Sequence, residues 1–298
     1  MRAARPLLVL FAFISFGIPL AAQTGSPTPS TSDPQAVALL QKSLAALTGG
    51  TTIADVTLTG TARRIAGSDD ETGTATLEAT SAGDSRVELS FASGNRVEIR
   101  NHSALPLPGS LPPGASTTAA QTPQPVGEWV GPGGAGHGMA PHNIVTDAAW
   151  FFPALTVANI LSSQNYVLSY AGQVTHDGAT VLHVTAVEQF PQLAASASTT
   201  PAPPGPPLAQ MMQHLSQMDF YLDPNSLLPV ALDFTQHPDN NALIDLPVEI
   251  RFSEYQSVSG AVVPMDVQKF LNFGLVLDLQ LTNATTNSGL STSTFAVQ

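Results

Sequence analysis

The chain has 298 residues, of which 22 are acidic and 10 basic, so its formal charge is -12, and only 11% of its residues are charged. This balance argues against nucleic acid as a partner and against electrostatic docking on an anionic bilayer, because both need a basic face. The sequence contains no cysteine, which excludes disulfides, thiol nucleophiles and cysteine-ligated metal centres.

The first 22 residues have the features of a secretory signal peptide. A positively charged start is followed by an apolar run over residues 7–16, and the small residues Ala21 and Ala22 precede a cleavage point. The uncharged stretch 7–22 has 16 residues, fewer than the roughly 20 of a transmembrane helix. We therefore expect cleavage near Ala22, a bacterial periplasmic or extracellular location and no transmembrane span in the mature chain. An uncleaved N-terminal anchor is the alternative.

Residues 23–32 have the composition of a disordered linker, and a helix is predicted directly after them. Asp33 is a typical N-cap, Pro34 suits the first helical position, and Gly49-Gly50 supplies the end. The apolar residues between these signals recur at helical spacing: Ala36, Leu39, Leu40, Leu44 and Leu47.

Beyond this helix, apolar and polar residues alternate, which is typical of strands with one buried face. Residues 87–91 show this pattern clearly. In the next strand, Val97 and Ile99 are assigned to the buried face. Glu98 and Arg100 are assigned to the solvent-facing side of the same strand. Short turn clusters between these segments predict an antiparallel meander.

Two stretches rich in proline and small residues interrupt the strand pattern, near residues 104–138 and 194–207. The first contains one short predicted strand at residues 128–130. Because alternating strands resume after each stretch, we interpret both as insertions into a single domain that spans residues 33–298.

Two further segments favour helical or irregular structure. Residues 147–161 form an apolar segment in which Pro153 is expected to cause a break. Residues 208–215 are expected to form one or two helical turns. Both segments are apolar enough to cover part of a sheet.

The remaining chain is predicted to consist of hairpins. Asp177-Gly178 between two alternating runs is a strong hairpin signal. Turn residues at 223–226 and 272–274 separate later strands in the same way. The predicted fold is mainly β (α+β): a strongly curved antiparallel sheet or half-barrel of about 10–12 strands. The N-terminal helix and short lid helices are expected on its concave side.

The C-terminal hairpins carry a recognisable pattern of turns. The first motif is FYLDP at Phe220 to Pro224, which is followed by Leu228-Pro229 at the start of the return strand. The second is FSEYQSVSG at Phe252 to Gly260, which is followed by Val263-Pro264. This order resembles the LolA/LolB-like superfamily of bacterial periplasmic lipoprotein-sorting proteins, in particular its uncharacterised secreted branch. The resemblance implies an open half-barrel whose apolar concave face, covered by helices, accepts acyl chains.

An acyl chain needs a concave apolar surface with few polar groups. The alternating strands and the two short apolar segments supply fifteen candidates for such a surface. They are Trp150, Phe151, Phe152, Tyr166, Leu168, Tyr170, Met211, Met212, Leu215, Phe220, Leu222, Leu232, Phe234, Ile250 and Phe252. The alternative is that each of these residues is ordinary core beneath the N-terminal helix.

No catalytic, metal-binding or cofactor-binding motif is found. Residues 131–136 match GxGxxG literally, but Pro132 lies inside the match and no buried strand and helix flank it as a dinucleotide site requires. His137 and His142 lie in a Gly/Pro-rich loop without a third fixed ligand, so we interpret them as solvated. The sequence therefore predicts a non-enzymatic protein without cofactor or metal.

The leading functional hypothesis is an exported protein that binds a lipid, acyl chain or other hydrophobic ligand, with an envelope protein as a further expected partner. It would act in envelope lipid or lipoprotein trafficking. A structural or adhesive cell-surface β-protein is the second hypothesis. A secreted hydrolase with a dispersed site is the third, and a cleft that gathers histidines and carboxylates from separate strands would favour it.

Overall fold

The computed structural model describes residues 31–104, 124–146, 148–190 and 208–297. The predicted signal peptide and most of both predicted insertions lie outside these ranges. The described helices are α1 (Pro34–Thr48), α2 (Pro153–Ser162) and α3 (Leu208–Leu215). The described strands are β1 (Asp55–Ala66), β2 (Asp69–Thr80), β3 (Ser85–Phe91), β4 (Gly94–Ala104), β5 (Gln124–Val130), β6 (Gly136–Gly138), β7 (Tyr166–His176), β8 (Ala179–Glu188), β9 (Met218–Leu222), β10 (Pro229–Gln236), β11 (Leu246–Val258), β12 (Ala261–Leu271) and β13 (Gly274–Thr286). Short 3₁₀ turns occupy Pro141–Asn143 and Thr292–Phe295.

Helix α1 begins and ends where the sequence predicts. The Asp33 side chain accepts a hydrogen bond from the backbone N–H of Gln35 at 2.8 Å, and Gly49 ends the helix with φ 58°. Such a cap contributes about 1 kcal/mol to helix stability. The inward stripe of α1, including Leu40 and Leu47, is fully buried.

All thirteen described strands form one antiparallel sheet that does not close on itself, which confirms the predicted fold class. The order is β6-β5-β4-β3-β2-β1-β13-β12-β11-β10-β9-β8-β7. Strands adjacent in sequence are therefore neighbours, except β6 and β7. The pairing of β1 with β13 joins two meanders into one sheet. Strand β5 includes the short strand predicted at residues 128–130.

The order of strands places β6 and β7 at opposite edges of the sheet, although they follow one another in the chain. Residues 139–146 and 148–165, here together named the crossover, therefore pass over one face. The crossover contains α2, and its apolar residues are buried with those of α1 in one cluster. We call the face that they cover the concave face and the opposite face the convex face. Pro153 begins α2 at its first position instead of breaking a helix, so that part of the prediction was wrong.

The hairpin turns confirm the predicted signals. Between β7 and β8, Asp177 and Gly178 both have positive φ, as a two-residue turn of type I′ requires. Asn272 and Phe273 adopt the same conformation between β12 and β13. The outer edge of β7 is partly covered, because the backbone N–H of Asp33 donates to the carbonyl of Leu168 at 2.8 Å.

A glycine permits the close approach of β1 and β13. The register shifts between Thr59 and Gly60, as at a β-bulge. A Cβ at Gly60 would lie 2.1 Å from the backbone oxygen of Gln280, which is far inside van der Waals contact. Only glycine fits this position without moving one strand, and such positions mark tight bends in curved sheets.

We expect Gly60→Ala to lower the free energy of unfolding by roughly 2–4 kcal/mol, because the new methyl group must push β1 away from β13. Gly131→Ala is the matched control, since a Cβ there meets no atom within 4 Å and its φ is not positive. Urea unfolding followed by circular dichroism measures both. Equal stability of the two variants would contradict the close approach.

Candidate functional site

The concave face brings most of the predicted ligand-binding residues into one apolar cluster. Trp150, 2% exposed, packs edge-on against Phe151 with ring centres 5.5 Å apart. The predicted residues that are buried together there are Trp150, Phe151, Phe152, Leu168, Phe220, Leu222, Leu232, Phe234, Ile250 and Phe252, with Tyr166 and Tyr170 half-buried against them. In this state the protein's own side chains, many from the crossover, fill the concave face.

The three predicted residues of α3 lie elsewhere. Leu215 is buried, but it is not part of the concave cluster, and Met211 and Met212 are half-buried outside it. Helix α3 contacts β8 and the 3₁₀ turn Pro141–Asn143. The structure therefore does not unite these side chains with the aromatic residues of the crossover.

A lysine is buried among the apolar residues of the concave face. Lys269 follows Met265 and Val267 at alternate positions of β12, so it points to the same face as they do. It is 8% exposed, and its Nζ lies 4.8 Å from the ring centre of Trp150. Burial lowers the pKa of Lys269, while the nearby Glu98 carboxylate raises it and Arg100 lowers it.

Arg100 and Glu98 complete a buried charged group on the concave face. Arg100, 2% exposed, donates from Nε to Oε1 of Glu98 at 2.9 Å. It also donates from Nη1 to the carbonyl oxygen of Thr146 at 3.1 Å. Arg100 thereby ties the crossover to strand β4. Together with Lys269 these side chains place two cations and one carboxylate in the interior.

Strand β4 is buried on both sides, whereas the sequence predicts one buried side, that of Val97 and Ile99. Glu98 is directly opposite Val87, which belongs to the concave cluster, so Glu98 and Arg100 point inward. Val97 and Ile99 instead pack on the other side of the strand, in a small separate cluster with Phe295. Both sides of β4 are buried, and alternation alone cannot then identify the inner one.

Two further polar atoms near this site are buried without a partner. The indole Nε1 of Trp150 and the hydroxyl of Ser43 make no hydrogen bond among the described residues. An unpaired buried polar group costs about 1–3 kcal/mol. The concave face is thus mainly apolar, but it carries two hydrogen-bonding groups without partners among the described residues, one on α1 and one on the crossover.

The convex face carries a second polar cluster, which the sequence did not reveal. Asp219, Asp233 and Glu249 are directly opposite one another on β9, β10 and β11. Like charges in such positions destabilise a sheet unless they are compensated. The three carboxylates line an open cavity of about 240 Å³, together with aromatic side chains that include Phe270 and Phe273.

Histidines and an arginine compensate two of the three carboxylates. His183 Nε2 lies 2.6 Å from Oδ1 of Asp219, and His176 Nε2 lies 3.0 Å from Oε1 of Glu249. The Tyr221 ring stacks on both imidazoles, with ring centres 4.1 Å from His176 and 4.8 Å from His183. Glu249 also accepts a hydrogen bond from Arg251 Nε at 2.7 Å.

Asp233 lies between these pairs and is less well compensated. Its Oδ1 atom is buried without a hydrogen-bond partner, although the side chain is hydrogen-bonded to Tyr221. Burial, followed by the charge of Glu249, raises the pKa of Asp233 to about 6. Burial also raises the pKa of Asp219, but hydrogen bonds from His183, Gln217 and Thr185 outweigh it and leave that pKa below its usual value.

Three side chains of this cluster could hold a metal ion, because His176, Asp177 and Glu249 bring ligand atoms within 4.8 Å of one another. The guanidinium of Arg251 already bonds to Glu249 and lies 2.8 Å from Asp177. These ion pairs account for the grouping of the two carboxylates. A metal ion would have to displace the arginine.

Comparisons with known proteins identify neighbours by structure and none by sequence. No family model matches the chain, and no curated protein matches it significantly. Three solved structures each cover 88% of this chain. They are a putative outer membrane lipoprotein-sorting protein domain from Vibrio parahaemolyticus (10% identity, 96% of that chain, TM-score 0.48), a DUF1329 family protein from Desulfovibrio piger (11%, 96%, 0.48) and a LolA superfamily protein from Nitrosomonas europaea (10%, 97%, 0.46).

One of these neighbours is described as a LolA superfamily protein, which is the superfamily that the sequence motifs resemble. Among the described helices, none has the length and apolar character needed to cross a membrane.

Two equivalent substitutions on neighbouring strands should have opposite effects on stability. Asp233 binds a proton more tightly in the folded state, so its contribution to the free energy of unfolding falls as pH rises from about 4 to about 6. We expect Asp233→Asn to raise the free energy of unfolding by roughly 1–2 kcal/mol near pH 7.5 and to have little effect near pH 4.

Asp219→Asn is the matched comparison. It should lower the free energy of unfolding by roughly 2–3 kcal/mol near pH 7.5, because a charged acceptor of three hydrogen bonds is lost. Urea unfolding of both variants at the two pH values measures these effects. A destabilised Asp233→Asn protein at pH 7.5 would contradict this description of the cluster.

Proposed function

We propose that this protein is an exported, non-enzymatic carrier that binds a lipid or acyl chain between the concave face and the crossover. The crossover is the main support for this proposal. It covers the apolar face of an open sheet through aromatic side chains, and it is not itself a hydrogen-bonded part of the sheet. In the state described here the site is closed. Binding moves the crossover aside and the ligand takes its place.

The exchange is energetically reasonable because an apolar acyl chain takes the place of apolar side chains. Moving Trp150, Phe151 and Phe152 outward exposes apolar area, and an acyl chain buries a similar area at about 0.8 kcal/mol per methylene. Helix α2 has a length of 10 residues and packs through its apolar side chains. A short helix that joins two edge strands can move without disturbing the strand ladder itself.

The setting of the protein follows from its sequence. The N-terminal 22 residues are the proposed export signal, and residues 33–298 are the proposed single carrier domain, located in the periplasm or outside the cell. A carrier must receive and deliver its ligand, so an envelope protein or membrane is the proposed partner. Trafficking of envelope lipids or lipoproteins is the process to which such a carrier would contribute.

The convex cluster supports hydrolysis as a second candidate function. Its three carboxylates line an open cavity, and His176 and His183 pair with two of them. An Asp233 with a pKa of about 6 suits general acid–base catalysis. It ranks second because the histidines are already paired with carboxylates. On the concave face, in contrast, the buried groups of Trp150 and Lys269 still lack partners among the described residues.

Trp150 provides a direct test of the proposed site. The chain has two tryptophans, and Trp129 is 40% exposed, so a Trp129→Phe protein emits from Trp150 alone. We expect 9,10-dibromostearate to quench this emission saturably at one ligand per protein, because bromine quenches only on contact. Stearate without bromine is the matched control, because it reports the change in emission that comes from the movement of Trp150 alone, and the brominated ligand should lower the intensity further. A linear, non-saturating response to the brominated ligand would contradict binding beneath the crossover.

A further inference from the structure

Among the described side chains, the concave face contains one more cation than it has ion-pair partners for. Glu98 forms its ion pair with Arg100 at 2.9 Å. No described residue accepts a hydrogen bond from Lys269 or forms an ion pair with it, and its ammonium contacts the face of the Trp150 ring. More than nine-tenths of this side chain is buried.

Such an arrangement is costly in a resting protein. Removing an ammonium group from water costs several kcal/mol, and a good anionic partner is needed to recover that cost. A cation–π contact with tryptophan recovers only part of that cost. The contacts of the folded protein therefore do not account for a lysine at this position.

The position of the lysine relative to the crossover indicates what the charge does. Trp150 belongs to the crossover, and its ring covers the ammonium in the closed state. When the crossover moves aside, as the proposed function requires, Nζ is left facing the apolar space without Trp150. The charges of Glu98 and Arg100 both reach Lys269, and that of Glu98 has the larger effect on its pKa, but Glu98 is already ion-paired with Arg100.

We infer that the ligand is an amphiphile with an anionic headgroup, a carboxylate or phosphate, which replaces the Trp150 ring at Lys269 while its chain occupies the apolar concave face. This inference rests on the proposed function and specifies its ligand class. The headgroup pairs with the buried ammonium, and the charge-assisted contact is strong because the surroundings exclude water.

The composition of the chain offers a matched control. The sequence has two lysines, and the other, Lys42, is exposed on the outer side of α1. Lys269→Met and Lys42→Met therefore remove the same charge from the inside and from the outside. Lys269→Gln is a second interior variant of similar length, for use if the methionine variant fails to fold.

The experiment measures dissociation constants of the full mature chain for palmitate, hexadecyl phosphate and hexadecanol, which share a sixteen-carbon chain. We expect the unmodified protein and Lys42→Met to bind at least one anionic ligand about 10-fold or more tightly than the alcohol. In Lys269→Met this preference should be lost because affinity for the anion falls, while affinity for hexadecanol stays within about 2-fold. The two anions distinguish a carboxylate site from a phosphate site.

The outcomes separate the two proposals. If none of the three ligands binds the unmodified protein, the proposed carrier function itself fails. If the alcohol binds as tightly as both anions, or if Lys269→Met keeps the preference for an anion, the carrier function stands and the headgroup inference is overturned.

Discussion

The pairing of β1 with β13 determines the arrangement of everything else in this protein. It joins two meanders into one continuous sheet and leaves β6 and β7 as opposite edges. The chain that connects these two edges must cross a face of the sheet. Helix α1, which leads directly into β1, lies against the same face. The strand order therefore explains why the concave face is covered, and it also places the aromatic residues of the crossover on that face.

Local signals in the sequence were sufficient for the local structure. The cap at Asp33, the glycine stop of α1 and the Asp177-Gly178 turn act over a few residues, and all three are found where the sequence predicts them. The strand pattern and the curved antiparallel sheet follow from alternation. The pairing of β1 with β13 joins residues more than two hundred positions apart, and no local pattern encodes such a register.

The candidate site was predictable only in its apolar part. Apolar positions such as Phe220 and Ile250 were identified because they alternate along strands. Lys269 also follows the inward positions of β12, so a lysine in an otherwise apolar series was a usable signal. Glu98 and Arg100 gave no such signal, because β4 is buried on both sides and its apolar residues pack away from the concave cluster. The charges of the interior thus depend on contacts that only the assembled sheet defines.

The two faces of the sheet differ in whether their charged side chains are paired. On the convex face, histidines and Arg251 neutralise carboxylates within an open cavity, and Asp233 alone retains an unpaired oxygen there among the described side chains. On the concave face, Lys269 lies beneath Trp150, and none of the described carboxylates forms an ion pair with it. In a chain with a formal charge of -12, an unpaired interior cation is the less expected feature. This contrast is why the concave face, and not the more polar convex face, carries the functional proposal.

The most direct test is native mass spectrometry of the protein purified from the cells that naturally produce it, followed by lipid extraction and identification. A carrier should show a second mass above that of the mature chain, corresponding to one bound amphiphile that reappears in the extract. A single mass of the chain alone, unchanged after incubation with lipids extracted from the same cells, would contradict the account and would favour a structural or adhesive role.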